Sequence, residues 1–183
     1  MTDPTSNIPA KGTWVIDPVH SSLEFVARHM MVSKVKGRFT DVNGTIEVGG
    51  DGSEHSVRVS VEAASIDTRD EKRDEHLRSP EFLDVENHKQ LTFVSTAVRQ
   101  EGDGWVLDGD LTIRGTTRPV SIAFTFNGSG TNPWGAEVAG FEGHTSINRK
   151  DFGLEWNVAL ETGGVLVGDK VDINLDIEAT KQG

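Results

Sequence analysis

Apolar and polar residues alternate along most of this chain, and the period is two. The clearest run is 171–179, where Val171, Ile173, Leu175, Ile177 and Ala179 fall on one side and Asp172, Asn174, Asp176 and Glu178 on the other. A period of two sends successive side chains to opposite faces of a strand. A strand that is greasy on one face and acidic on the other has one face buried and one wet. Leu23, Phe25, Ala27 and His29 share a face in the same way, as do Val57, Val59, Val61 and Ala63. Trp105, Leu107, Gly109, Leu111 and Ile113 form another set, and Val120, Ile122, Phe124 and Phe126 a further one. Phe141, Gly143, Thr145 and Ile147 make a weaker set.

Glycine clusters separate these runs: Gly49-Gly50-Asp51-Gly52, Gly102-Asp103-Gly104, Gly115-Thr116-Thr117, and Gly128 to Gly135. The pattern predicts an all-β chain of about eight or nine strands joined mostly by short turns, hence an antiparallel meander. Closing a meander into a barrel removes its exposed edges. A two-sheet sandwich is the competing architecture, and alternation alone does not decide between them. Within 35–48 the phase slips: Val35, Gly37 and Phe39 are odd, while Val42, Gly44, Ile46 and Val48 are even. Such a slip marks a bulge or a strand break. A strand of these 14 residues would rise roughly 45 Å, which points to an elongated interior.

One helix is predicted over 69–79, with Thr68 as its cap, Glu71 completing a capping box, and Pro80 as its stop. Asp70 with Arg73, and Asp74 with Arg78, have the spacing of surface ion pairs. Leu77 is the helix's one strong apolar residue. The helix is therefore expected to lie over a barrel opening with Phe82 and Leu83. The glycine-containing stretch 149–169 reads as a rim loop. Residues 1–12 read as a disordered tail and 13–183 as one domain.

Composition removes several functions. There is no cysteine, so disulfides, thiolate zinc sites and cysteine nucleophiles are excluded. A net charge of −11 repels phosphate backbones and anionic lipid headgroups, and no basic patch for nucleic acid stands out. No stretch approaches the roughly 20 apolar residues of a membrane span, and no secretory leader is recognisable, so the expected location is cytoplasmic.

His20 and His29 have opposite parity and the other histidines are scattered, so no metal site is expected. Asp17, His20 and Ser21 stand too close in sequence for a catalytic triad and read as a turn that binds backbone groups. There is no nucleophile elbow, dinucleotide fingerprint or Walker motif, so no catalytic residue and no cofactor is assigned. Eight phenylalanines and no tyrosine suit a dry interior, because phenylalanine has no polar handle. Phe25, Phe39, Phe93, Phe124 and Phe141 fall on inward faces. Spacing alone leaves open whether about eight strands enclose a solid or a hollow space.

Four ordered blocks carry a resemblance. They are WVIDPVHSSLEFVARHMMVSKVKGRF at 14–39, SIDTRDEKRDEHLRSPEFLDVE at 65–86, GDLTIRGTTRPV at 109–120 and INRKDFGL at 147–154. Through them the chain resembles the YceI-like family of lipid-binding proteins from about residue 13 to 180. The resemblance implies an extended, lipocalin-like antiparallel barrel with a short helix near one end. It also implies a pore for a polyisoprenoid or another long amphiphile, quinone-like lipids included; with no catalytic motif in the chain, no enzymatic activity is expected. Phe25, His29, Phe39, Phe82, Phe93 and Phe152 fall at positions the family pattern retains. Joined to the inward faces, they give a ligand-binding set: Leu23, Phe25, Ala27, His29, Phe39, Phe82, Phe93, Leu111, Phe124, Phe141, Ile147 and Phe152. Arg73, Asp74, His76 and Arg149 also match, and are read as a polar clasp over the mouth. Transient membrane contact and a homodimer are compatible with this picture. The alternatives are a carrier of fatty acid, fatty amide or quinone, or a small lipid-modifying enzyme using His29.

Overall fold

A computed structural model describes residues 8–50 and 54–183. In chain order the strands are β1 Gly12–Ile16, β2 Ser22–His29, β3 Ser33–Phe39, β4 Val42–Val48, β5 Ser56–Glu62 and β6 Ile66–Asp67. They continue as β7 Gln90–Glu101, β8 Gly104–Ile113, β9 Thr116–Thr131, β10 Glu137–Asn148 and β11 Val167–Lys181. The helix α1 spans Glu71–Arg78. Every pairing is antiparallel, and β1 closes the sheet by bonding β4 on one edge and β11 on the other. The result is a closed, eight-stave antiparallel barrel; the sandwich alternative falls.

Eleven strands make eight staves because three staves are interrupted. β1 and β2 lie end to end along β11, β3 and β4 form the next stave, and β5 and β6 the third. The phase slip in 35–48 is the break between β3 and β4. There Thr40 N–H bonds the Ser65 carbonyl and Asp41 N–H bonds Ser65 Oγ, so the neighbouring stave satisfies the unpaired backbone. The β1–β2 break is the Asp17–Ser21 turn, as its residues suggested. Asp17 accepts from the Val19 amide, and Ser21 Oγ donates to the Glu178 carbonyl.

Three expectations are corrected. First, Asp70 caps the helix, accepting from the Arg73 amide, and Thr68 is instead buried beneath it. Second, Asp74 faces inward and accepts from both the Thr68 amide (2.9 Å) and its hydroxyl. Arg78 reaches the Ala64 and Ile66 carbonyls. The ion-pair spacing assumed a solvated helix, whereas this one packs against β6. Third, 128–135 is not all turn. β9 runs on to Thr131, and Gly128 (φ 113°) sits at a bulge opposite Gly140, where glycine absorbs the extra residue. The expected tail lies mostly outside the described residues. Of its remainder, Pro9 is buried and β1 begins at Gly12.

Two packed clusters close the barrel. At the helix end lie Phe39, Val42, Val61, Ile66, Leu83 and Ile113, together with Phe152 and Leu154. At the far end lie Trp14, Val48, Ala139 and Ala179, with Ala10 packed on them and Trp14 Nε1 bonded to the Ala10 carbonyl. No helix among the described residues is long and apolar enough to cross a membrane.

Candidate functional site: an apolar cavity along the barrel axis

Between the two clusters the inward-facing side chains do not meet. Leu23, Phe25, Ala27, Phe124, Phe141 and Ile173 all face the axis yet are only half-buried. They surround a cavity of about 310 Å³. One water needs only about 10–15 Å³, so this is no packing defect. The wall along β11 runs from Val167 to Ile177, roughly 30 Å of strand. The space is an elongated apolar slot.

Two glycines explain why large aromatics leave room. Phe25 faces Gly37 across the β2–β3 pair, and a Cβ on Gly37 would lie 2.2 Å from the Phe25 ring. A Cβ on Gly109 would lie 2.3 Å from the Phe93 ring. Each ring therefore lies over a bare stretch of wall where a side chain would otherwise push it toward the axis. Farther along, Trp105 stacks on Phe124 at 6.3 Å, and Phe141 touches both Phe124 and Phe126.

Ten of the twelve residues singled out from the sequence line this cavity: Leu23, Phe25, Ala27, Phe39 and Phe82, then Phe93, Leu111, Phe124, Phe141 and Ile147. Two lie off its wall. Phe152 is 2% exposed and belongs to the cluster beneath the helix. His29 ends β2, across from Ser33 and Val167, beyond the last cavity-lining residue of that strand. The wall also includes residues the sequence did not single out, among them Ile8, Pro9, Trp105 and His55. His55 shares the parity of Val57, Val59 and Val61, and that phase is the signal that could have found it. Its Nδ1 accepts from the Gly49 amide at 3.0 Å, which leaves the ring proton on the buried Nε2.

The clasp residues divide into two groups. Arg73 donates to the Thr68 hydroxyl (2.8 Å) and carbonyl (2.7 Å), and with Asp74 it fixes the helix to the chain after β6. Arg149, 3% exposed, donates to the carbonyls of Leu154, Trp156, Gly168 and Val167, and so holds the rim loop. Burial pushes the Arg149 guanidinium below its ordinary range, while Asp169 at 3.7 Å pulls the other way. His76 joins the two groups: its ring packs edge-on against Trp156 (4.6 Å) and Phe82 (5.1 Å). This end is held by buried polar anchors, Asp74 and Arg149, with the rings of His76, Phe82 and Trp156 packed between them.

Outside the barrel, Asp17, His20 and Glu178 bring three potential ligand atoms together at a largely exposed site. The hydrogen bond from His20 lowers the Asp17 carboxyl, and the same bond raises His20. Asp17 already caps the turn, which accounts for the cluster without a metal.

Comparisons with known proteins agree with this geometry. The YceI-like domain matches residues 14–179. A UPF0312 protein of Serratia proteamaculans is 42% identical over 136 residues, covering 74% of this chain and 71% of that protein. Burkholderia cenocepacia BcnA superposes with a TM-score of 0.76 at 23% identity, covering 90% of this chain and 99% of BcnA. A polyisoprenoid binding domain from Saccharophagus degradans superposes with a TM-score of 0.67 at 13% identity, covering 92% and 98%. At these identities the two superpositions establish the shared fold.

Proposed function

Because this chain belongs to the YceI-like domain family, we propose that it holds a long apolar lipid lengthwise in the barrel and carries or stores it without chemical change. The favoured cargo is a polyisoprenoid or an isoprenoid quinone. The observation that carries the reading is the elongated apolar slot, many of whose inward side chains (Leu23, Phe25, Ala27, Phe124 and Phe141 among them) remain half-buried. Surfaces of this kind gain dispersion contacts only from a guest that fills the space. A domain of the same fold is described as polyisoprenoid binding, which supports the choice of cargo class. The proposed contacts are Leu23, Phe25, Ala27, Phe39, Phe82, Leu111 and Ile147 toward the helix end, with Phe93, Phe124 and Phe141 along the rest of the slot.

The energetics favour a carrier over a permanent trap. Taking hydrocarbon out of water contributes about 0.8 kcal/mol per methylene, or roughly 3–4 kcal/mol per isoprene unit. Eight units would pass the practical affinity ceiling of about 18–21 kcal/mol, so simple addition fails. The working reference is a bilayer, where the tail is already out of water. Packing in the slot then decides the balance, and the net preference is modest. A non-enzymatic role agrees with the chemistry of the wall, where the ring nitrogen Nδ1 of His55 is already engaged by backbone.

The test is organic extraction of protein purified from its native host, followed by mass spectrometry. The expected result is a long-chain apolar lipid at about one per chain. An extract with no such lipid above the level of an unrelated protein, together with no uptake of added prenyl alcohol, would overturn the reading.

A further inference from the structure

The β2–β3 hairpin breaks three local rules at once. Its tip is Met30, Met31 and Val32, exposed by 45%, 55% and 81%. Met30 and Met31 both take left-handed backbone, with φ of 52° and 65°, and Val32 N–H bonds the His29 carbonyl across them. This is the geometry that favours Asn-Gly, and it is unfavourable for two bulky side chains. Farther down the hairpin Arg28 stands directly opposite Lys34, a like-charge pair across the strands. Asn-Gly at the tip would be easier for the backbone and better for solvent.

The charge is equally out of character. On a chain of net charge −11, residues 28–38 hold Arg28, Lys34, Lys36 and Arg38 and no acid. Arg38 pairs with Asp67, while Arg28, Lys34 and Lys36 are exposed and have no ion pair among the described residues. At physiological salt a surface senses charge within about 8 Å, so it meets this local patch and not the net charge. Rule-breaking clustered in one element marks a functional surface.

We propose that this hairpin docks the barrel on an anionic lipid bilayer, with Met30, Met31 and Val32 entering the headgroup layer and Arg28, Lys34 and Lys36 meeting lipid phosphates. An apolar wedge with a basic rim is the chemistry of an interfacial anchor. The location serves loading. Ala27 and Val167, on the strands at the hairpin base, line the cavity, and Met30 N–H bonds the Leu166 carbonyl of the rim loop. The other strongly exposed hydrophobic hairpin tip, Trp134 at 86%, lies at the opposite end of the barrel. It has no Lys or Arg within 127–141, so it lacks the basic rim. The inference rests on the carrier reading, and its test separates the two.

Full-length protein is floated with phosphatidylcholine vesicles with and without phosphatidylglycerol, at low and high salt. Wild type should bind the anionic vesicles and release them in high salt. The double change Met30→Asn with Met31→Gly suits the turn, so it should keep or raise Tm while cutting vesicle binding at least tenfold. Lys34→Gln with Lys36→Gln should cut anionic binding on the order of thirty-fold, at about a fivefold loss per basic residue. Trp134→Ser should change nothing. Wild type that ignores both vesicles, or a Met30/Met31 variant that binds like wild type, would overturn the proposal. Prenyl-lipid content of the same samples gives the separation: lipid-filled protein that ignores vesicles ends the docking proposal alone. Protein that docks but never holds a long-chain lipid ends the carrier reading alone.

Discussion

The ends of the barrel and its middle obey the same alternation and use the same residue types, yet they are packed differently. Trp14 and Phe152 at the ends are no more than 2% exposed and lie off the cavity wall, whereas Phe25, Phe124 and Phe141 in the middle face inward and stay half-buried. An inward apolar residue therefore has two uses here. At the ends it meets other side chains and stabilises the fold. In the middle it meets a slot and stabilises whatever occupies it. Mutations should separate the two uses.

The largest effect is expected at an end. Phe152→Ala should cost about 3–5 kcal/mol through its cavity and lost contacts. At about 2–4 °C per kcal/mol for a domain of this size, Tm falls by roughly 6–20 °C, measurable by calorimetry. Next comes the wall. Gly37→Ala puts a methyl where the Phe25 ring lies and should drive that ring toward the axis. A cost of about 1–3 kcal/mol is expected, with lipid content reduced more than stability. Phe124→Ala in the middle should cost about 1 kcal/mol, below the value for a fully buried side chain, and reduce extracted lipid several-fold. If Phe124→Ala lost as much stability as Phe152→Ala, the two regions would be one solid core.

The smallest effect is electrostatic. Ser146 lowers the Asp172 carboxyl by hydrogen bonding, and Arg99, then Ser121, do the same for Asp108. Depressed carboxylates add stability above their unfolded pKa that is lost as pH falls through the lower folded value, so the loss lies below about pH 4. His20 is raised by Asp17, so its contribution is full below about pH 6.5 and fades as pH climbs through the folded value. All three are exposed or nearly so, and salt should shrink both limbs. Urea midpoints against pH for Asp108→Asn and His20→Gln should show a flatter acid limb and a flatter neutral limb, respectively.

Much of the fold can be read from parity. Runs such as Val171–Ala179 fixed the inward face, and the slip between Phe39 and Val42 located a stave break to the residue. Parity failed where tertiary contact outweighs local spacing. Thr68 looked like a cap, but Asp74 needed it as a donor inside the protein. Gly128 looked like a turn and serves a bulge within a strand. In the slot, ten of the twelve chosen residues lie on the wall because period two and the barrel share one inside. Phe152 lies off the wall because a retained motif does not distinguish wall from foundation, and His29 lies off it because it is beyond Ala27, the last cavity-lining residue of β2. His55 was legible in phase with Val57 but was set aside with the scattered histidines. Hollowness itself was not legible, since it depends on how Phe25 and Phe93 lie over Gly37 and Gly109 in neighbouring staves.

A crystal structure of the protein purified from its native host, without added lipid or detergent, bears most directly on the slot. Continuous rod-like density against Phe25, Phe124 and Phe141 is the expected result. Side chains swung inward to fill the axis, with no elongated density between the two end clusters, would contradict it.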